Sequence, residues 1–286
     1  MLRGVNMKFD NDKINHLKNG DVEYLNFKKL DKYKDKFNYG FFLKHGGVSK
    51  GLTESLNFRI NGLESKENVL KNLEIVSNTL KISNQNIYKA SQNHTSNILV
   101  LTNENKEEYK YENFNKEEYD GYVTNIPHIA TLITTADCNP IIMYDPVKNV
   151  YANIHSGWKG TVKQIYLNAA KIMNEKYDCN YLDIIVCVGP SINACCWYSE
   201  DQALKESFVK LWPFEDEYIK SHKDGYLVDF TYAIKKDLIK LGLDSENILL
   251  SNICTCCNTD SFFSYRNSTM KKESYFGTMA TIATLI

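Results

Sequence analysis

The stretch that decides the fold is residues 129–160, IATLITTADCNPIIMYDPVKNVYANIHSGWKG. It contains three short apolar runs rich in β-branched residues, at 129–135, 141–144 and 150–154, and these predict three buried strands. The polar segments that follow the first and third runs contain Asp137-Cys138 and His155-Ser156-Gly157. Because a rigid sheet presents side chains to a cleft at its strand ends, both segments are candidates for chemistry.

Local patterns on either side of this stretch predict a mixture of strands and helices. Residues 41–43, 98–101 and 183–188 predict short strands, the first ending at a glycine turn. Apolar residues at helical spacing predict helices at 65–80 with Ser65 as N-cap, at 161–177, and at 232–241 ending at Gly242. Residues 8–38 are predicted to hold one short strand, and the charged residues 103–119 an exposed hairpin or loop. This mixture is typical of an α/β or α+β domain.

Composition and charge exclude several classes of protein. The 286 residues contain 34 Lys and Arg against 35 Asp and Glu, so the chain has no electrostatic reason to bind nucleic acid or an anionic membrane. There is no run of about 18 apolar residues that would span a membrane, and the beginning of the chain lacks the apolar stretch of a secretory signal. We therefore expect a single cytoplasmic domain whose eight cysteines stay thiols or bind metal.

Three residues at strand ends, His94, Cys138 and His155, are potential metal ligands. Zn²⁺ binds imidazole nitrogen and thiolate sulfur, and three protein ligands leave a fourth position for water or substrate. Each signal is weak alone, because a buried cysteine is usually an inert apolar residue. Together the three predict one catalytic zinc per chain. Asp137, which precedes Cys138, is a candidate for orienting a ligand.

The same segments belong to a longer series of motifs. In chain order these are Gly46-Gly47-Val48-Ser49, Ser55-Leu56-Asn57, Gln92 with His94, Asp120-Gly121-Tyr122-Val123-Thr124, Thr135-Ala136-Asp137-Cys138-Asn139-Pro140, His155-Ser156-Gly157-Trp158-Lys159-Gly160, Gly189-Pro190, Cys254-Thr255 and Phe262-Phe263-Ser264-Tyr265-Arg266. By these motifs the chain resembles the laccase-domain family, also called multicopper polyphenol oxidoreductase or laccase-domain purine nucleoside phosphorylase. The resemblance covers residues 40–286, and residues 1–39 are expected to form a variable N-terminal segment of the same domain.

The resemblance implies a fold and an activity. The fold is a mixed core of two packed sheets with helices outside. The family's zinc ligands fall on His94, Cys138 and His155, and we expect Cys138, His155 and Asp137 to act in catalysis. The implied reactions are phosphorolysis of adenosine, inosine and methylthioadenosine, and hydrolytic deamination of adenosine. The expected partners are therefore a small nucleoside and phosphate.

Five further residues are candidates for binding the substrates. Arg59, Lys159 and Arg266 are candidate phosphate ligands, since cationic donors suit phosphate oxygens. Asn57 and Gln92 are candidates for hydrogen bonds to the ribose or the base.

Some positions differ from the family pattern in a way that bears on phosphate. Leu73, Asn267 and Thr278 stand where the pattern has arginine. The loss of these cations predicts weaker phosphate binding and leaves hydrolysis open as the main reaction.

Other classes of function stay open. Cys138 and His155 also match the thiol and imidazole of a cysteine hydrolase or amidase, for which the resemblance allows a role in editing cell-wall precursors. A metal-holding partner protein without enzymatic activity is a further class. A multicopper oxidase is disfavoured, because it needs many histidines, commonly two residues apart, and the six here are dispersed.

Some of the remaining cysteines are candidates for a second metal site. Cys254, Cys256 and Cys257 are close in sequence, but no matching pair follows at zinc-finger spacing, which disfavours such a site. Cys195 and Cys196 are expected to be core or subunit-contact residues.

Overall fold

Two six-stranded sheets form the core in a computed structural model that describes residues 7–60, 64–83, 86–113 and 115–286. The first sheet contains β1 (Ile14–Asn19), β2 (Val22–Phe27), β3 (Phe37–Phe42), β4 (Ile87–Tyr88), β7 (Ala130–Thr135) and β15 (Met279–Leu285). Its strand order is β1-β2-β3-β15-β7-β4. Neighbouring strands are antiparallel except β4 and β7, which are parallel.

The second sheet packs against the first. It contains β5 (Ile98–Val100), β6 (Gly121–Thr124), β8 (Asn139–Asp145), β9 (Val150–Ser156), β10 (Ile185–Val188) and β14 (Ile248–Leu250), in the order β14-β10-β8-β9-β6-β5. A small third sheet has the order β11-β13-β12, with strands β11 (Tyr198–Ser199), β12 (Ile219–His222) and β13 (Gly225–Val228). The three strands predicted from residues 129–160 are therefore β7, β8 and β9.

Burial on both faces explains why these strands are apolar without alternation. All seven residues of β8 are buried. Ile142 and Tyr144 face the first sheet, where the Tyr144 ring stacks on Phe37 at 4.4 Å between centroids. Ile141 and Met143 point to the opposite face, where helices cover them. A strand in this position needs apolar side chains in both directions.

Helices cover the outer faces of the two large sheets, and further helices pack with the small third sheet. They are α1 (Lys66–Leu80), α2 (Trp158–Val162), α3 (Ile165–Tyr177), α4 (Gln202–Leu211), α5 (Glu215–Tyr218), α6 (Phe230–Leu241) and α7 (Tyr265–Met270). Helix α1 packs on the first sheet, and α3 and α6 pack on the second. Ser65 accepts a hydrogen bond from the Asn68 backbone at 3.1 Å, as its N-cap role predicts. The predicted fold class is confirmed.

Three local predictions need correction. Residues 8–38 form β1, β2 and the start of β3 rather than one strand. The helix predicted at 161–177 is divided into α2 and α3, because Gln164 adopts a left-handed φ of 54° and its side chain donates to Asp237 of α6. Residues 103–119 contain two 3₁₀ turns that bury Tyr109 and Tyr111, so this segment is not simply an exposed loop.

The N-terminal segment continues the first sheet. Strands β1 and β2 pair with each other and with β3, while residues 1–6 lie outside the described residues. The predicted division into 1–39 and 40–286 falls inside β3 and stays a prediction. None of the helices in the described ranges is long and apolar enough to cross a membrane.

Candidate metal centre and substrate cavity

The connection between β7 and β8 carries the chain from one large sheet to the other. It consists of Ala136, Asp137 and Cys138, and Asp137 has a left-handed φ of 82°. Strand β8 then pairs with β9 so that Pro140 lies opposite His155. This register brings the predicted ligands Cys138 and His155 to neighbouring strand ends.

His94 completes the group from a different part of the chain. It lies in the loop between β4 and β5 with a left-handed φ of 56°. The potential ligand atoms of His94, Cys138 and His155 all lie within 4.8 Å of one another. The two imidazole rings are 4.9 Å apart between centroids. The fold thus brings together the three residues that the sequence predicted as metal ligands.

Asp120 positions both histidines, a role that its local sequence does not indicate. Its carboxylate is fully buried and lies 2.7 Å from Nδ1 of His155. The same carboxylate accepts hydrogen bonds from the backbone N–H groups of Asn93, His94 and Thr95 at 3.2, 3.1 and 2.6 Å. One buried carboxylate therefore fixes the ring of one histidine and the backbone of the other. The Asp120-Gly121 motif was visible in the sequence, but nothing local indicated these partners.

The charges in this group influence one another. Burial by itself raises the pKa of Asp120, but the bonds from His155 and Thr95 outweigh it and hold the pKa at about 2. Burial lowers the pKa of His155, yet the neighbouring Cys138 and Asp120 raise it to about 9. For His94, burial and then the nearby His155 lower the pKa, which favours the neutral form that binds metal.

These residues fit a thiophilic divalent cation. Nδ1 of His94 is buried and has no hydrogen-bond partner among the described residues, so a polar atom is left for a ligand. Gly157 leaves the space open: a Cβ at this position would lie 2.3 Å from Nδ1 of His94 and 2.9 Å from Sγ of Cys138. Two imidazoles, one thiolate and a carboxylate behind one imidazole form a donor set typical of a protein metal site.

Asp137 has different partners from those expected. Its carboxylate accepts from Thr255 Oγ1 at 2.6 Å, from Ser264 Oγ at 3.0 Å and from the Arg266 backbone N–H at 2.7 Å. Burial raises the pKa of Asp137 above its ordinary value, because the effect of burial is larger than that of these hydrogen bonds, which lower the pKa. Asp137 therefore ties the β7–β8 connection to the segment that begins α7, and its part in catalysis stays a prediction. The carboxylate that contacts a candidate ligand directly is that of Asp120.

A cavity of about 580 Å³ opens beside the three ligands. Its wall includes every predicted site residue except Asn57: Arg59, Gln92, His94, Asp137, Cys138, His155, Lys159 and Arg266. Apolar rings complete the wall, among them Trp158, Trp197 and Phe276. A cavity of this size, apolar with a few convergent polar groups, suits a small organic ligand.

The three predicted phosphate ligands sit differently in this cavity. The Arg59 guanidinium lies 3.8 Å from the Phe276 ring centroid, and its Nη1 is buried without a hydrogen-bond partner in the described ranges. Nη1 of Arg266 donates to the carbonyl oxygens of Cys196 at 3.0 Å and Tyr198 at 3.2 Å. Lys159 is exposed at the mouth. Arg59 is thus the cation most in need of an anionic partner.

Asn57 and Gln92 are engaged with the protein itself. The Asn57 amide is fully buried, accepts from the backbone N–H groups of Arg59 and Thr278, and donates to Glu64. Asn57 thus supports Arg59 from behind the wall. The Gln92 amide lines the cavity but is paired with the backbone of Thr134 in both directions, at 2.8 Å each.

Comparison with known proteins identifies the family. A family model described as multi-copper polyphenol oxidoreductase laccase matches residues 38–286. The chain belongs to this family. All the residues of the metal centre and the cavity wall lie within the matched part, and the resemblance that the motifs indicated is confirmed.

Proteins similar to this chain are named as purine nucleoside phosphorylases. Purine nucleoside phosphorylase YlmD of Bacillus subtilis is 32% identical over 230 residues, which cover 79% of this chain and 82% of that protein. A purine nucleoside phosphorylase of Clostridium acetobutylicum is 32% identical over 253 residues, covering 85% and 93%. The crystal structure of YlmD from Geobacillus stearothermophilus has the same fold, with a TM-score of 0.84 at 23% identity over 94% of this chain and 98% of that one.

Proposed function

We propose that this chain is a zinc-dependent purine nucleoside enzyme. It cleaves adenosine, inosine and methylthioadenosine with phosphate, and it deaminates adenosine with water. The observation that carries the proposal is that one cavity holds the His94, Cys138 and His155 group beside Arg59 and Arg266. The names of the relatives support the nucleoside as substrate.

The roles of the side chains follow from their positions. Arg59 and Arg266 hold the phosphate dianion, with Lys159 adding charge at the mouth. The aromatic walls formed by Trp158 and Phe276 exclude water around the nucleoside. Asp120 keeps His155 in the tautomer whose Nε2 is free to bind metal. When bound, Zn²⁺ polarises an oxygen atom or lowers the pKa of a water molecule towards neutrality.

Zinc is a better match than a copper cluster for this donor set. In the described part of the chain, the groups of side chains that could hold a metal ion contain two of the six histidines, His94 and His155. A multicopper centre needs more imidazoles than these two supply. Two imidazoles and one thiolate with an open position suit a single catalytic zinc.

Product analysis tests the proposal directly. Purified protein is incubated with adenosine or inosine, with and without phosphate, and the products are separated by chromatography. We expect free base and ribose phosphate when phosphate is present, and inosine from adenosine. The absence of base, ribose phosphate and inosine under all conditions would contradict the proposed function.

The geometry also favours one alternative, a cysteine hydrolase. Cys138, His155 and Asp120 have the order of a nucleophile, a base and a group that orients the base. In this alternative His94 has no required role. Metal-stripped protein assayed with nucleosides and with peptide amides separates the two functions. The zinc enzyme loses its nucleoside activity without metal, whereas a thiol hydrolase cleaves amides without metal.

Metal content gives the first prediction. His94→Ala and His155→Ala should each bind one zinc ion fewer per chain than the wild type, because each removes one of three ligands. Elemental analysis of protein purified without chelator measures this. His222→Ala, which changes an exposed histidine of β12, is the control and should keep the wild-type content. Unchanged zinc in both ligand variants would refute the assignment.

Phosphate dependence gives the second prediction. Hydrogen bonds to charged groups contribute about 1.5–3 kcal/mol each, so loss of one phosphate ligand should weaken phosphate use by roughly ten- to a hundredfold. We expect the largest effect for Arg59→Ala, whose Nη1 is buried and without a partner among the described residues, and the smallest for exposed Lys159→Ala. Arg266→Ala should fall between them. Adenosine deamination, which uses water, should suffer less.

The control for this series is Lys171→Ala, which removes an exposed charge from α3 outside the cavity. Its phosphate dependence should match the wild type. If Arg59→Ala, Arg266→Ala and Lys159→Ala all do the same, phosphate binds elsewhere. If the wild type itself ignores phosphate, hydrolysis is the main reaction. Of the three positions that lack the family's arginine, Thr278 lines the cavity and could explain such a loss, whereas Leu73 of α1 is buried in the core and Asn267 is not part of the cavity wall.

A further inference from the structure

Four thiols from two loops that are far apart in the sequence lie close together in space, outside the candidate metal centre. Cys195 and Cys196 come from the loop after β10, and Cys254 and Cys257 come from the loop after β14. Their sulfur atoms all lie within 4.8 Å of one another. Sγ of Cys257 is 3.5 Å from that of Cys195 and 3.4 Å from that of Cys196, and all four are free thiols.

Backbone pairing holds these two loops side by side. Strands β10 and β14 are parallel neighbours, and their pairing continues as a bridge between Ser191 and Cys254. The Ser191 N–H donates to Ile253 O at 3.1 Å, and the Thr255 N–H donates to Ser191 O at 3.0 Å. The four thiols are therefore brought together by the sheet.

This arrangement corrects two expectations from the sequence. Cys195 is exposed, so the core role expected for it is wrong, while a subunit contact stays a prediction. The pair that completes Cys254 and Cys257 precedes them in the chain by almost sixty residues, so a search for a following pair at zinc-finger spacing could not find it.

We propose that Cys195, Cys196, Cys254 and Cys257 bind a second zinc ion, with a structural role. Four sulfurs at about 2.3 Å from a tetrahedral zinc lie about 3.8 Å from each other, a spacing that the observed separations allow. Cys254 and Cys257 have the two-residue spacing common in structural zinc sites. Binding exchanges the four S–H protons for one Zn²⁺. The Asn193 N–H donates to Sγ of Cys254 at 3.5 Å, which stabilises a thiolate there.

The position of the four-cysteine site indicates what it stabilises. The carbonyl oxygen of Cys196 accepts from Nη1 of Arg266 at 3.0 Å. Thr255, between two of the proposed ligands, donates to Asp137 at 2.6 Å. Between Cys196 and Cys254 the chain forms the third sheet and helices α4 to α6. A bound zinc would link the beginning and the end of this segment. It would thereby fix the two loops that contact Arg266 and Asp137 at the cavity.

Elemental analysis of protein purified under reducing conditions without chelator tests this. We expect two zinc ions per chain in the wild type, one in His94→Ala, and one in the double variant Cys195→Ser/Cys257→Ser. Cys256→Ser is the matched control, because its thiol lies in the same loop but outside the group of four. It should retain two.

A spectroscopic measurement keeps the test valid if the double variant does not fold. A different double variant, His94→Ala/Cys138→Ser, should show strong thiolate-to-cobalt charge-transfer absorption when it is loaded with Co²⁺. This absorption then comes from the four-cysteine site, because the thiol of the other candidate site has been removed. The proposal is overturned if His94→Ala binds no metal. It is also overturned if titration of the thiols of the denatured wild-type protein finds six of the eight cysteines free, because two of the four would then form a disulfide. Loss of one zinc in Cys256→Ser would overturn the assigned ligand set.

Discussion

Cys138→Ser is expected to lose nearly all nucleoside turnover while the chain stays folded. Cys138 supplies the one sulfur of the metal centre, and a serine hydroxyl is a far poorer zinc ligand than a thiolate. Loss of a group that only supports a metal ligand typically costs about ten- to a hundredfold, so loss of the ligand itself should cost more. The residue is half-buried at a strand end, so the apolar core should survive. Turnover, zinc content and circular dichroism measure the three expectations.

A second substitution at this position separates the zinc enzyme from a cysteine hydrolase. Aspartate is a zinc ligand but has no thiol, so Cys138→Asp should recover part of the zinc content and part of the activity. A hydrolase with Cys138 as nucleophile should gain nothing from aspartate. Cys256→Ser serves as the thiol control. A fully active Cys138→Ser protein would exclude both mechanisms at once.

Asp120→Asn should weaken zinc binding by about ten- to a hundredfold. The amide cannot supply the charge that holds Nδ1 of His155, and it loses acceptor capacity for the N–H groups of Asn93, His94 and Thr95. Because the side chain at position 120 is fully buried and water cannot replace the lost bonds, the free energy of unfolding should fall by about 1–3 kcal/mol. Competition with a chelator measures the zinc affinity, and urea unfolding measures the stability.

The matched control is Glu118→Gln, an exposed carboxylate two residues away that binds the Asn93 side chain. It should keep wild-type zinc affinity. If Asp120→Asn keeps it too, His155 does not need its carboxylate partner.

The stability effect should also depend on pH. The pKa of Asp120 is held at about 2 in the folded chain, below its ordinary 3.8. A depressed pKa means that the ionised group stabilises the fold fully above pH about 4, and that this contribution is lost as the pH falls towards 2. The difference in unfolding free energy between metal-free wild type and Asp120→Asn should therefore shrink over this interval.

Much of the fold followed from local signals in the sequence. The apolar runs at 129–135, 141–144 and 150–154 predicted β7, β8 and β9, because a strand buried on both faces needs apolar residues in both directions. Ser65 and Gly242 marked helix ends because their chemistry satisfies backbone groups locally. Gln164 was missed, since its left-handed conformation goes with a contact to Asp237 from another helix.

For the candidate metal centre, the sequence likewise indicated some residues and not others. His94, Cys138 and His155 could be named from the sequence, because their residue types indicate a metal ligand and because Cys138 and His155 lie at strand ends. The predicted strand-end position of His94 is wrong, since this residue lies in the middle of the loop between β4 and β5. The groups that support the three ligands could not be named from the sequence. Asp120 reaches His155 only because β6 pairs with β9, and Asp137 finds Thr255 and Ser264 only after the C-terminal segment packs against the β7–β8 connection.

By itself, then, the sequence indicated the buried strands β7, β8 and β9, two helix ends and the three candidate ligand residues, all of which depend on neighbours along the chain. The tertiary structure alone decided which carboxylate orients His155, that Asn57 supports Arg59 from behind the cavity wall, and that two cysteine pairs meet. The physical reason is that hydrogen bonds and metal coordination act over a few ångströms in space. Strand pairing sets those distances between segments that the sequence keeps far apart.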